Sequence, residues 1–422
     1  MSGSRNEINR RDFLKTIGAT GFLAPLTAAV AAGQEKSAQS DPNAADKAQE
    51  PKFPQVPRRK LGKTGVKVPA MSLGTMFNLI DNQIILRSTL KWGVNSWDTA
   101  HNYGGGNSEL GVGKFLKENP EVRKNLFLAT KASGARTAEQ IEERLQTSLK
   151  RMNTDYIDLY YAPHGANGPG DFTDELKKWA EGAKKRKLIR FFGFTVHKNM
   201  ADCLFAAAKL DWIDTIMTSY NFRFMQDDKM RAAVDACYKA NIGLIAMKTT
   251  GKTTIQWAKQ SLDTEADKKL IEQLLKRGFT QEQATIKLVL DDERISCACV
   301  GMENVAVLTA NVAAVLDKTK LTQADFGAFK EYAEATCSGY CAGCAEICDS
   351  ALPDTPYVSD IMRYLMYYNS YGKKDMAREL FAQIPADAKS RLLGADYAVA
   401  ESHCPQHLPI ARLVAEAVAK LA

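Results

Sequence analysis

Residues Ala138–His164 read AEQIEERLQTSLKRMNTDYIDLYYAPH. The first half sets Ile141, Leu145, Leu149 and Met152 on one stripe at helical spacing, and the second is a short apolar, aromatic-rich run that ends on a histidine. A helix feeding a buried strand is the repeating unit of a parallel sheet, because parallel neighbours need a long crossover. Outward from this stretch the unit recurs at roughly 30-residue intervals. The apolar runs are AMSLGT, VNSWDTA, LFLATK, IDLYYAP, IRFFGFTV, TIMTSYN, IGLIAMK and CACVGM, all between Arg58 and Asp317. Such a series predicts an α/β fold, a (β/α)8 TIM barrel over residues 58–317. KLGKTGVKVP, Lys60–Pro69, precedes it with Gly62 and Gly65 as turn residues, which predicts a small hairpin closing the barrel floor.

Several runs end on a reactive side chain: Asp98, Lys131, His164 and Lys248, with Tyr103 just past Asp98. In a parallel barrel the C-terminal strand ends converge on one face, so these residues are expected in one pocket. A glycosidase wants two facing carboxylates, and the strand ends supply only Asp98. GGGNSE after Tyr103 breaks a phosphate-cradling GxGxxG at Glu109, so a dinucleotide would have to bind in another way. A metal site on His164 and Asp98 lacks further ligands, His101 and His197 being loosely placed. Two mechanisms remain open from the residues. Tyr103 is a proton donor to a carbonyl receiving hydride, with Lys131, held by Asp98, drawing its pKa down and His164 orienting the carbonyl. Alternatively Lys131 is the Schiff-base nucleophile of an aldolase.

The chain of 422 residues carries a formal charge of +7 and 45% hydrophobic residues. That is a globular composition with a mild basic surplus spread along the chain, which gives no ground for nucleic-acid binding. NRRDFLK, Asn9–Lys15, ahead of a weakly apolar run ending in TAAVAAG, predicts a twin-arginine export signal over residues 1–33 and a periplasmic or otherwise exported protein. The run is too short for a bilayer span once cleaved, so no integral membrane protein is expected. Residues 34–57, rich in Gln, Ala, Asp, Lys and Pro, read as a disordered linker.

WDTAHNYGGGNSELGVGKFL (Trp97–Leu116), LATK ending at Lys131, TSLKRMNTDYIDLYYAPH ending at His164 and VGMENVAVLTAN (Val300–Asn311) resemble the aldo-keto reductases. The resemblance implies that Asp98, Tyr103, Lys131 and His164 are that family's catalytic tetrad, which favours carbonyl reduction over the aldolase, with NADP(H) lying across the barrel mouth. The implied cofactor contacts are Thr195, Asn221, Lys248, Gly251, Lys252, Gly301, Met302, Asn304 and Asn311. Three contacts depart from the family pattern: Thr195 and Val196 stand for Ser-Asn, Met217 for a Gln and Met247 for a stacking aromatic. With the hydride cradle altered, a non-enzymatic redox or partner-binding module on a degenerate barrel is the alternative.

Cys203, Cys237, Cys297 and Cys299 fall on helix or strand patterns and read as buried small hydrophobes. Cys337, Cys341, Cys344 and Cys348 follow C-x3-C-x2-C-x3-C, with Cys404 alone before Pro405. This resembles the ferredoxin-like iron–sulfur extension of some aldo-keto reductases, so residues 318–422 are expected to be a mainly helical domain with one 4Fe-4S cluster. The cross-over rule of two-cluster ferredoxins assigns Cys337, Cys341, Cys344 and Cys404 as ligands and leaves Cys348 spare. A zinc site and a disulfide-bonded remnant are the alternatives. The implied partners are a small carbonyl or alcohol substrate, the twin-arginine translocase during export and an electron-transfer partner served by the cluster.

Overall fold

The computed structural model describes residues 53–251 and 265–422. The signal, most of the linker and Lys252 therefore lie outside the described residues. A hairpin of β1 (Arg58–Lys60) and β2 (Lys67–Pro69) comes first. Then follow β3 (Met71–Gly74), β4 (Ser96–Asp98), β5 (Phe127–Lys131), β6 (Ile157–Ala166), β7 (Ile189–Val196), β8 (Thr215–Ser219), β9 (Gly243–Met247) and β10 (Ile295–Gly301). These eight form a closed parallel barrel in sequence order, β10 pairing back onto β3. The expected (β/α)8 barrel is present, and each of the apolar runs supplies one staff of it.

Strand alternation decides which side chains reach the barrel axis. Phe127, Ala129, Leu159 and Tyr161 pack inside with Met217, Ile245 and Cys297. Leu128, Tyr160 and Trp97 turn outward to the helix layer. By the same parity Asp98 follows an outward residue, and Lys131 continues the inward series of Phe127 and Ala129, so both point into the barrel. His164 breaks the parity of β6. The β6–β7 register shifts between Tyr161 and His164, and this irregularity re-aims the imidazole toward the mouth.

The hairpin closes the floor by placing Leu61 and Val68, both buried, in the interior cluster. Gly62 makes this possible: its φ is 49°, and a Cβ there would strike the backbone of Asn241 and Gly243.

Past Gln323 every described element is helical, and the tail runs to the helix Ile410–Leu421. It has its own core, including Ile361, Leu365, Phe381, Leu392, Leu413 and Val414. The tail docks on the C-terminal face of the barrel. Asn199 N–H donates to the Gly343 carbonyl at 2.7 Å, Arg223 Nη2 to Thr336 Oγ1 at 2.7 Å, and Lys198 Nζ pairs with Asp360 Oδ2 at 2.7 Å. Gly343 (φ 76°) sits so close to the His197 carbonyl that no side chain fits. Among the described residues no helix is long and apolar enough to cross a membrane.

Candidate active site

The mouth of the barrel opens into a cavity of about 850 Å³ lined by Asp98, Tyr103, Lys131 and His164. Four residues are thus brought together from three βα units, Asp98 and Tyr103 from one and Lys131 and His164 from the next two. Lys131 Nζ bonds Asp98 Oδ1 and donates to the Thr99 carbonyl at 2.7 Å. It also lies 4.7 Å from the centre of the Tyr103 ring, and the Tyr103 and His164 rings meet edge to face at 6.0 Å. Asp98 Oδ2 is buried with no partner, so Lys131 is the charge that compensates this carboxylate.

Burial opposes the Lys131 ammonium, but the Asp98 carboxylate, with Tyr103 and Cys299 behind it, outweighs burial and holds the amine well above its ordinary value. Burial likewise pushes the Asp98 carboxyl up, against the pull of Lys131. We take the pair as ionised, since Thr99 adds a carbonyl acceptor to the ammonium. An amine held protonated has no lone pair for imine formation, which weighs against the aldolase alternative. The Tyr103 phenol departs from expectation: Lys131 does draw it down, but burial is larger and leaves it above the usual tyrosine range. The phenol is therefore protonated at neutral pH. Burial, then the charges of Lys131, Arg363 and Arg136, depress His164 well below the ordinary histidine value, so the imidazole is neutral.

Support for the tetrad comes from groups the sequence reading passed over. Ser133 Oγ lies 2.8 Å from both His164 Nδ1 and Asn102 Oδ1. Glu109, the residue that spoils the glycine motif, is fully buried under the Tyr103 loop. It accepts from Thr130 Oγ1 at 2.7 Å and Ser148 Oγ at 2.6 Å and pairs with Arg151 at 3.1 Å. Arg151 in turn donates to the His101 carbonyl at 2.7 Å, which fixes the loop carrying Tyr103.

The tail helix Val358–Ser370 also lines this cavity, through Asp360, Arg363, Tyr364 and Tyr367. Lys248 Nζ stands 4.1 Å from the Tyr367 ring centre and 4.7 Å from that of Tyr371. Burial raises Tyr367, but Lys248 and then Arg363 together bring it below the usual phenol value. Lys248 itself has a left-handed backbone (φ 57°), a conformation that costs a non-glycine residue and clusters at functional sites. Arg363, Tyr367 and Tyr371 recur every fourth residue, which a helix turns to one face. That stripe was visible in RYLMYYNSY, but nothing local said what it would face.

The implied cofactor residues are placed as follows. Thr195 is buried on the cavity wall and accepts from Gly165 N–H at 2.8 Å. Asn221 donates to the Lys248 carbonyl at 3.0 Å and to the Tyr340 hydroxyl at 3.2 Å. Gly251 turns beside Phe222, and Met302 is core. Asn304 caps the helix Val305–Leu316 by accepting from Val307 N–H, while Gly301 and Asn311 line the cavity. From the tetrad the cavity runs past Met217 and Met247 to Thr249, Gln283 and Asn311, all three buried polar groups. Two helix starts, Gln281 and Val305, lie near these groups, and helix N-termini favour anionic groups.

The cysteines group differently from the spacing argument. Thiols Cys344, Cys348 and Cys404 all act electrostatically on Cys341, and Cys404 also on Cys344 and Cys348. Cys337 is not in this set. It opens the turn Cys337–Gly339, which Arg223 fastens to the barrel through Thr336. Burial pushes the Cys341 and Cys348 thiols up to about 12. As placed, no three His, Cys, Asp or Glu side chains among the described residues come together closely enough to hold a metal ion. The thiols do not form a closed ligand set in this arrangement.

Residues 70–334, more than half of the chain, match the aldo/keto reductase family. The chain belongs to the aldo/keto reductase family. This aldo/keto reductase is 25% identical over 285 residues to an L-galactose dehydrogenase of Arabidopsis thaliana, covering 62% of this chain and 89% of that one. It is 25% identical over 319 residues to an L-glyceraldehyde 3-phosphate reductase of Escherichia coli O157:H7, covering 64% and 91%. It is 28% identical over 230 residues to a Schizosaccharomyces pombe aldo-keto reductase designated for NADP(+), covering 49% and 65%. In fold it is similar to the holo form of an aldo-keto reductase from Bacillus halodurans, with TM-score 0.53, 22% identity and coverage of 66% and 96%. The matched region gives an oxidoreductase of aldo-keto reductase type.

Proposed function

We propose that this protein is an NADP(H)-linked oxidoreductase that reduces a carbonyl, or oxidises the corresponding alcohol, with Tyr103 as the general acid. The observation that carries this is the closed contact of Asp98, Lys131, Tyr103 and His164 in one cavity. NADPH, when bound, supplies hydride to the carbonyl carbon. Tyr103 gives its proton to the carbonyl oxygen, and a phenol raised by burial still does so because a forming alkoxide is the stronger base. Lys131 then faces the developing phenolate, and Asp98 keeps that ammonium charged and in place.

His164 positions the oxygen. One hydroxyl hydrogen on Ser133 serves one acceptor, so for His164 to donate from Nε2 its Nδ1 must accept from Ser133. That proton arrangement needs the Asn102 amide, whose Oδ1 faces Ser133 in the structure, turned so that its nitrogen donates to Ser133. The buried Thr195, Gln283 and Asn311 would hold the nucleotide. The yeast relative designated for NADP(+) supports this cofactor.

Purified protein should bind NADP(H) at micromolar levels, and Tyr103→Phe should lose turnover by at least a hundredfold while keeping nucleotide affinity. Binding of no nicotinamide at all sinks the reading. We further place the protein outside the cytoplasm on its Arg10–Arg11 leader, which N-terminal sequencing of the exported, cleaved form would check. For the tail we propose, on the cysteine spacing, one 4Fe-4S cluster on Cys341, Cys344, Cys348 and Cys404, which would have to close around it, since as placed they do not hold a metal. Anaerobically purified protein should then carry about four iron atoms and four sulfides per chain, lost in Cys348→Ser and kept in Cys337→Ser. Zinc in place of iron, or neither, removes it.

A further inference from the structure

The end of the cavity beyond His164 is built from cations that the tetrad does not use. Arg363 Nη2 bonds Asp360 Oδ1 at 2.7 Å, and Lys198 Nζ bonds the other oxygen of the same carboxylate at 2.7 Å. One carboxylate thus fixes two cations. Arg136 comes from the barrel, its guanidinium on the carbonyl of Gly165, directly after His164, at 3.3 Å. Arg136, Lys198, Asp360 and Arg363 all line the cavity. The other acids on its wall are Glu282 and two that are already paired, Asp98 with Lys131 and Glu303 with Lys373. Behind this wall, Asp171 reaches Arg136 only at 3.7 Å and Asp349 neighbours Lys198 without an ion pair; neither lines the cavity. A guanidinium carries five N–H donors; Asp360 engages one nitrogen of Arg363 and Tyr364 also bonds it, which leaves further donors toward the cavity.

We propose that the carbonyl substrate carries an anionic group, a carboxylate or a phosphate, bound by Arg363 of the tail together with Arg136 of the barrel. This rests on the carbonyl-reducing reading above and names its substrate class. A neutral aldehyde gains nothing from three cations around a neutral imidazole. An anion gains charge-assisted, fork-shaped hydrogen bonds from the guanidinium groups. Asp360 is a positioning residue: it holds the guanidinium toward the cavity and keeps Lys198 beside it. The specificity of the barrel is therefore set partly by a helix from outside it.

The test compares pairs of probes with the same reacting group: 4-oxobutanoate against butanal, and glyceraldehyde 3-phosphate against glyceraldehyde. Full-length protein should prefer the anionic member of at least one pair, and the preferred pair tells carboxylate from phosphate. Arg363→Gln should cut kcat/KM for that anionic probe about 10- to 100-fold, chiefly through KM, and leave the neutral partner within about twofold. Arg363→Lys should recover part of the loss. Equal losses on both members, or a wild-type preference for the neutral ones, overturn the proposal. Succinate and phosphate binding by calorimetry separates this from failure of the reductase reading. Arg363-dependent binding in a protein that turns over no carbonyl leaves the anion site standing without the activity, and absent binding removes the site itself.

Discussion

Replacing Lys131 by Met separates the two tasks assigned to its ammonium. The charge sits 4.7 Å from the centre of the Tyr103 ring, so at an effective dielectric of about 20 its attraction for a phenolate is roughly 3.5 kcal/mol. Losing it from the transition state should lower kcat about 400-fold. The same change strands the Asp98 carboxylate, whose Oδ2 already lacks a partner, and breaking a buried pair costs about 3–5 kcal/mol of stability. Asp98→Asn combined with Lys131→Met removes the stranded charge and should recover about 2 kcal/mol of that loss without restoring activity. Initial rates at saturating nucleotide and urea unfolding followed by circular dichroism read the two effects separately. A Lys131→Met enzyme within threefold of wild type would refute the electrostatic role of the ammonium. A double variant no more stable than the single one would show that Asp98 is not charged in the folded protein.

The pH dependence follows from the same burial. With Tyr103 raised and His164 lowered, kcat for reduction should be flat from about pH 6 to 10, with no inflection near the ordinary histidine value of 6.5. Stability should fall on the acid side: as pH drops below 6.5 the unfolded chain protonates His164 and His197 while the folded protein, with both lowered, does not. A thermal midpoint constant from pH 7 to 5 would contradict this. Glu109→Leu leaves Thr130, Ser148 and Arg151 without their shared acceptor. It should destabilise the protein by about 3–5 kcal/mol, and Glu109→Gln by less. Because Arg151 holds the loop of Tyr103, kcat should drop in both while nucleotide affinity stays, which titration of NADP(H) against each variant would read.

The sequence alone determined the barrel, because the βα repeat is a local pattern: each apolar run and each amphipathic helix states its own periodicity. It also determined which reactive side chains would share one cavity. Parallel closure sends every strand end to one face, so Asp98, Lys131 and His164 needed no long-range contact to be grouped. What tertiary structure decided lies in contacts between segments distant along the chain. It turned His164 inward through a register shift, placed Glu109 under the Tyr103 loop rather than around a phosphate, and set burial above the charge of Lys131 at the Tyr103 phenol. Above all it laid Val358–Ser370 across the barrel mouth, so that Arg363 and Tyr367 meet Lys248 and His164. A helical stripe announces that one face will be covered. Which surface covers it is fixed only by the docking of one core on another.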